Sequence, residues 1–165
     1  MNILFISHGI YPCTIGGAEI FNYYLIKELA RSHKIYLATF CSENIDSNIS
    51  MIHMNRRKYG PGRISIPLQD IINIARLRNK IDLVHVSYMP VNWLQWLPYP
   101  IMSKLSGIPY VMTIHDGMYK WRPGFPYKFL FRNVAGIIAV SPILKKEYEK
   151  RSSREIKFIP PLIPF

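Results

Sequence analysis

Seven short segments of consecutive apolar residues recur along the chain, with helical periodicity between them. The strand candidates are Asn2–Ser7, Lys34–Phe40, Ser50–Met54, Leu83–Ser87, Tyr110–Ile114, Gly136–Val140 and Ile156–Ile159. An apolar run that does not alternate with polar residues signals burial on both faces. That is the mark of a parallel sheet with helices above and below it. The first helix is expected from Ala18 to Arg31, where Ile20, Phe21, Tyr24, Leu25 and Leu29 form one stripe. A second is expected over Pro67–Arg78. A third covers Val91–Leu105, with a break or kink at Pro98 and Pro100. Short helices follow near Tyr127–Arg132 and Pro142–Lys150, the last with Ser141 as N-cap and Pro142 at its first position. The expected fold is α/β: a doubly wound, mainly parallel, Rossmann-like sheet of about seven strands with helices on both faces.

At 165 residues, 49% of them hydrophobic, the chain has material for one cored domain spanning 1–165. No apolar run approaches the roughly 18–20 residues that cross a bilayer. The N-terminus does not read as a signal peptide: it has no basic n-region, and Ser7-His8-Gly9 interrupts its apolar stretch at once. Cys13 and Cys41 show no metal-ligand spacing and are expected to be two reduced thiols in a cytoplasmic protein. The excess of 21 Lys and Arg over 10 Asp and Glu gives a net charge of +11. That charge calls for an anionic partner: nucleic acid, a phosphorylated small molecule, or a membrane surface.

Ligands of doubly wound sheets bind beyond the carboxyl ends of the strands. That rule singles out His8, the Gly16-Gly17 pair, Ser87, Tyr88, Asn92, His115, Asp116 and Ser141. Gly16-Gly17 opens the first helix after a long loop. Bare backbone N–H groups at the positive end of a helix dipole suit a phosphate, and an ordinary turn is the other reading. The spacing is not the dinucleotide fingerprint, and no Walker A sequence, G-x-S-x-G elbow or D-x-D pattern occurs. His85 lies inside a strand candidate and reads as a core histidine. A basic stretch, Arg56-Arg57-Lys58-Tyr59-Gly60-Pro61-Gly62-Arg63, precedes the isoleucine-rich second helix. Arg56, Arg57, Lys58 and Arg63 could face an anionic bilayer, or could form a solvated basic face. Trp93, Trp96 and Trp121 add aromatic surface for an interface or a core.

Taken in order, these pieces resemble the N-terminal half of the retaining glycosyltransferases of family 4, which have the two-domain GT-B fold. The matching residues are Tyr11-Pro12, Gly16-Gly17, Asp82-Leu83-Val84-His85, Gly107-Ile108-Pro109, Thr113-Ile114-His115-Asp116, Ile138-Ala139-Val140-Ser141 and Ile159-Pro160. The resemblance implies transfer of a sugar, with retention and without a metal or other cofactor, from a nucleotide-diphosphate sugar to a glycan or lipid-linked acceptor. It implies a hexosyltransferase type of activity to which this domain contributes acceptor binding. Residues 160–165 would begin an interdomain linker, and a C-terminal donor-binding domain, absent from this chain, would complete the enzyme. The chain alone would then be inactive. Carried over by position, Gly16 and Gly17 would touch the donor diphosphate, and His115 would be the catalytic residue beside the donor sugar. Tyr11, Tyr88, Asn92, Asp116, Trp121 and Ser141 would face the acceptor.

Two further readings remain open at this level. One is a non-enzymatic sugar- or nucleotide-binding domain on the same sheet. The other is a basic nucleic-acid-binding domain, against which stands the lack of a helix-turn-helix, zinc or RNP pattern. The transferase reading expects no nucleic-acid partner, and a cytoplasmic protein peripheral at the inner face of the cell membrane.

Overall fold

The computed structural model describes residues 1–55, 62–87, 97–115, 131, 133–152 and 154–161, with backbone alone for 62–64 and 151. The elements run β1 (Asn2–Ile6), α1 (Gly17–Ala30), β2 (Lys34–Thr39), β3 (Ile49–His53), α2 (Gly62–Leu77), β4 (Leu83–Val86), α3 (Pro98–Ser106), β5 (Tyr110–Ile114), β6 (Gly136–Ala139), α4 (Pro142–Ser152) and β7 (Lys157–Phe158). All seven strands are parallel, in the order β3-β2-β1-β4-β5-β6-β7. The protein is therefore α/β and Rossmann-like, as its apolar runs imply. The strand order reverses between β1 and β4, the place where such sheets leave a crevice for ligands.

Strand parity divides the core. Successive side chains of a strand point to opposite faces. Leu4 and Ile6 join one cluster with Ile74 of α2, Tyr99 of α3 and Tyr148 of α4. Ile3 and Phe5 join the other with Ile26 of α1. Among the described helices, α1 thus covers one face, and α2, α3 and α4 cover the other.

Local chemistry explains most of the element boundaries. Pro98 and Pro100 stand in the first turn of α3, where proline is tolerated because its missing N–H would have no partner. The remainder of the expected third helix, 91–96, lies outside the described residues. Gly107 closes α3 at φ 73°, a left-handed conformation that favours glycine. The second helix begins at Gly62, so that Pro67 stands inside it. Ser141 caps α4 as expected, its Oγ accepting from the Leu144 N–H at 3.2 Å.

The expectation for the cysteines is overturned. Cys13 and Cys41 form a disulfide with Cα atoms 5.5 Å apart, leaving no free cysteine. The cause is topological: β1 and β2 are neighbours, so the loop leaving β1 passes the carboxyl end of β2, where Cys41 lies. Disulfides are uncommon in a reducing cytosol, so the expected thiols no longer argue for that compartment. No helix among the described residues is long and apolar enough to cross a membrane.

Candidate functional site

Parity also builds the site. Beyond β1, β4 and β5 the α1-facing positions are Ser7, Ser87 and His115. One pleat deeper, on the same face, are Phe5, His85 and Thr113. The deeper layer is closed: the rings of Phe5 and His85 lie 4.4 Å apart, and His85 Nε2 is 2.7 Å from Thr113 Oγ1. Burial, with help from the charge of His115, pushes the pKa of His85 down from 6.5 to about 3. His85 is the neutral core histidine that its place in a strand suggested.

The outer layer is tied to α1 by Asn22, which is 2% exposed. Asn22 Nδ2 donates to Ser7 Oγ and to the Ser87 carbonyl, both at 2.9 Å. The Ser87 hydroxyl donates to Asn22 Oδ1 at 2.6 Å and meets His115 Nε2 at 2.8 Å. Ser7 in turn donates to the Gly9 carbonyl at 2.6 Å. The Phe21 ring meets the His115 ring edge-on at 5.2 Å. Burial pushes the pKa of His115 down from 6.5 to about 4, so the ring is neutral at pH 7.

This network puts His115 and the start of α1 on one edge of the sheet. Phe21 follows Gly17 by about one helical turn. The first N–H closed within the helix is that of Ile20, on Gly16 O at 3.0 Å. The N–H groups of Gly17, Ala18 and Glu19 are left for capping or for a ligand. Gly16 itself is extended, at φ −175°, a conformation open to any residue. An added Cβ there would meet the carboxylate end of the flexible Glu19 side chain, which would have to move aside. That carboxylate occupies the favourable field at the helix start. At Gly17 an added Cβ would meet nothing within 4 Å. The open approach to the helix start is therefore at Gly17.

The other candidate residues are less gathered. His8 lies 3.5 Å from the buried Asp70 of α2 through Nε2, and its ring packs on Phe40 at 5.0 Å. Tyr99 donates to the other Asp70 oxygen at 2.8 Å. Tyr11 is 39% exposed and lies edge-on to Tyr23 at 5.3 Å. Ser141 serves α4 as a cap. Tyr88, Asn92, Asp116, Trp121, Arg56, Arg57 and Lys58 lie outside the described residues, and Arg63 is described only as backbone in the first turn of α2. Asn22 and Ser7 are the site residues that the sequence reading did not single out. Their signals were slight: a buried-face amide inside an amphipathic stripe, and a hydroxyl one step past a strand.

Comparison with solved structures identifies the fold. The chain aligns with a glycosyltransferase from Rickettsia africae ESF-5 at TM-score 0.58 and 16% identity, covering 96% of this chain and 41% of the other. It aligns with a UGT transferase from Siraitia grosvenorii in complex with UDP at 0.54 and 9%, covering 96% and 50%. An alpha-glucosyltransferase in complex with UDP and a mismatched DNA 13-mer aligns at 0.53 and 14%, covering 97% and 40%. This chain thus spans half or less of each matched protein. The fold is that of the N-terminal half of a GT-B glycosyltransferase. The model of Glycosyltransferase Family 4 matches residues 15–164, and the chain belongs to that family. A search of curated proteins finds no sequence match.

Proposed function

We propose that the chain is the acceptor-side half of a retaining glycosyltransferase, moving a hexosyl group from a nucleotide-diphosphate sugar to a glycan or lipid-linked acceptor. The observation that carries this reading is the meeting of His115 with the first turns of α1 at the strand-order switch, through Ser87 and Asn22. The N–H groups at Gly17 face the donor diphosphate, whose charge grows as the sugar departs. Oriented backbone dipoles stabilise that charge without reorganising. His115 stands beside the reacting sugar. Tyr11 belongs to the acceptor side, with Tyr88, Asn92, Asp116 and Trp121. A second domain supplies the remaining donor contacts, consistent with the chain spanning half or less of its structural relatives.

Gly17→Val in the intact protein tests the donor contact. Its side chain would project into the open space at the helix start without disturbing Glu19. Affinity for UDP or GDP, measured by calorimetry, should fall about tenfold or more, the scale of one lost hydrogen bond to a charged group. Unchanged affinity would remove the diphosphate from this helix start. Gly16→Val is the poorer probe, because it acts first on Glu19.

We further propose that the Arg56–Arg63 stretch, which leads into α2, meets an anionic bilayer. The net charge is +11. Leu68 on α2, with Ile101 and Leu105 on α3, leaves apolar side chains exposed on two helices that pack together. Co-sedimentation with vesicles should rise with phosphatidylserine content and fall with salt. Binding indifferent to lipid charge disposes of the idea.

A further inference from the structure

Protons can be assigned along the Ser7–Asn22–Ser87–His115 network, because two backbone carbonyls anchor it. A carbonyl can only accept. The Ser7 hydroxyl proton therefore lies on the Gly9 carbonyl, so Ser7 Oγ accepts from Asn22. The Ser87 carbonyl takes the second Asn22 amide proton, which settles which end of the amide is Nδ2. Asn22 Oδ1 then faces Ser87 Oγ at 2.6 Å and draws its single hydroxyl proton. Toward His115 Nε2, 2.8 Å away, Ser87 is left only able to accept. Nε2 must carry a hydrogen. The ring is neutral, so Nδ1 carries none, and Nδ1 makes no hydrogen bond among the described residues.

We propose that Asn22 is a positioning residue which, acting through Ser87, locks His115 in the Nε2–H tautomer and presents Nδ1 as a hydrogen-bond acceptor to the ligand. This rests on the transferase reading and sharpens it. An acceptor nitrogen takes a hydroxyl, such as a sugar hydroxyl, and is repelled by an unprotonated phosphate oxygen. The division of labour at the cleft follows: the amides at Gly17 meet the anion, and His115 meets the sugar. Asn22 touches no ligand itself. It acts by deciding which ring nitrogen keeps the proton.

Nitrogen-15 spectra of the intact, histidine-labelled protein at pH 7 test this without any substrate. The protonated and bare ring nitrogens resonate far apart, and His115 is assigned by its absence from the His115→Gln variant. The expected result is a proton on Nε2; a proton on Nδ1 in the native protein overturns the proposal. In Asn22→Leu the Ser87 hydroxyl is freed to donate to Nε2, so the two resonances should exchange places. The kcat/KM should also fall about tenfold or more, the scale of one hydrogen bond to substrate. A purely structural asparagine would lower stability and leave the tautomer alone, which counts against the lock. If Asn22→Leu does not fold, Ser87→Ala removes the acceptor at Nε2 and should give a mixture of tautomers; an unchanged tautomer there overturns the proposal equally. The spectra do not depend on turnover. An Nε2–H ring in a protein whose His115→Ala variant is fully active would refute the transferase role of His115 and keep the lock. The other tautomer with an inactive His115→Ala would do the reverse.

Discussion

His115→Ala, made in the intact protein, is expected on the proposed reading to lower turnover about a hundred- to thousandfold, the cost of losing one preorganised polar group at a reacting centre. The fold should survive, because the ring is only half-buried and its hydrogen bond among the described residues, to Ser87, lies at the rim of the site. Far-ultraviolet circular dichroism and an unfolding midpoint near that of the native protein would establish that. On the proposed reading, which sets His115 beside the sugar, steady-state kinetics would then show the fall mainly in kcat. Native turnover in a folded variant would take His115 out of the reaction. It would leave the neighbouring helix start as the more important part of the site.

Acid should destabilise this protein well before its carboxylates are titrated. His85 and His115 both have pKa values lowered by burial, from 6.5 to about 3 and about 4. Above about pH 6.5 both rings are neutral whether the chain is folded or not, and their stability contribution is fully present. Below it the unfolded chain binds protons that the native protein refuses. Stability therefore falls as the pH drops from 6.5 toward 4 for His115 and toward 3 for His85. Two such groups give a slope of up to about 2.7 kcal/mol per pH unit. Urea midpoints at pH 7.5, 6, 5 and 4.5 would trace this decline. His85→Gln, which keeps a hydrogen-bonding group near Thr113, should flatten it. A midpoint that does not move between pH 7.5 and 5 would mean that these imidazoles are not held neutral.

The sheet was legible because double-sided burial leaves a plain trace in sequence. Each interior strand falls within a residue or two of its apolar run, and all seven runs became strands. β7 shrank to Lys157–Phe158, since an edge strand has one neighbour to hold it. The second helix was expected from Pro67, and it instead begins at Gly62 with Pro67 inside it. The edge of the sheet that carries His115 and the glycine pair followed from the carboxyl-end rule. The hydrogen bonds on that edge did not. Ser7, Asn22 and Ser87 meet only because β1 lies beside β4 and α1 crosses their shared face, and no single stretch of sequence contains that adjacency. The disulfide was hidden for the same reason. Cys13 and Cys41 stand 28 residues apart, and they become neighbours only once β1 and β2 are paired.

The first strand to be made, β1, lies in the interior of this sheet. β1 needs β2 on one flank and β4 on the other, and the backbone N–H of Asn2 is received by Asp82, 80 residues downstream. A ribosome must release the chain as far as Val86 before β1 has both partners. Until then a very apolar segment waits with one flank bare, and its closure carries the entropy of a long loop. Such a nascent chain is suited to a chaperone that shields the early strand. Truncations that stop before β4 should yield insoluble material instead of a smaller working unit.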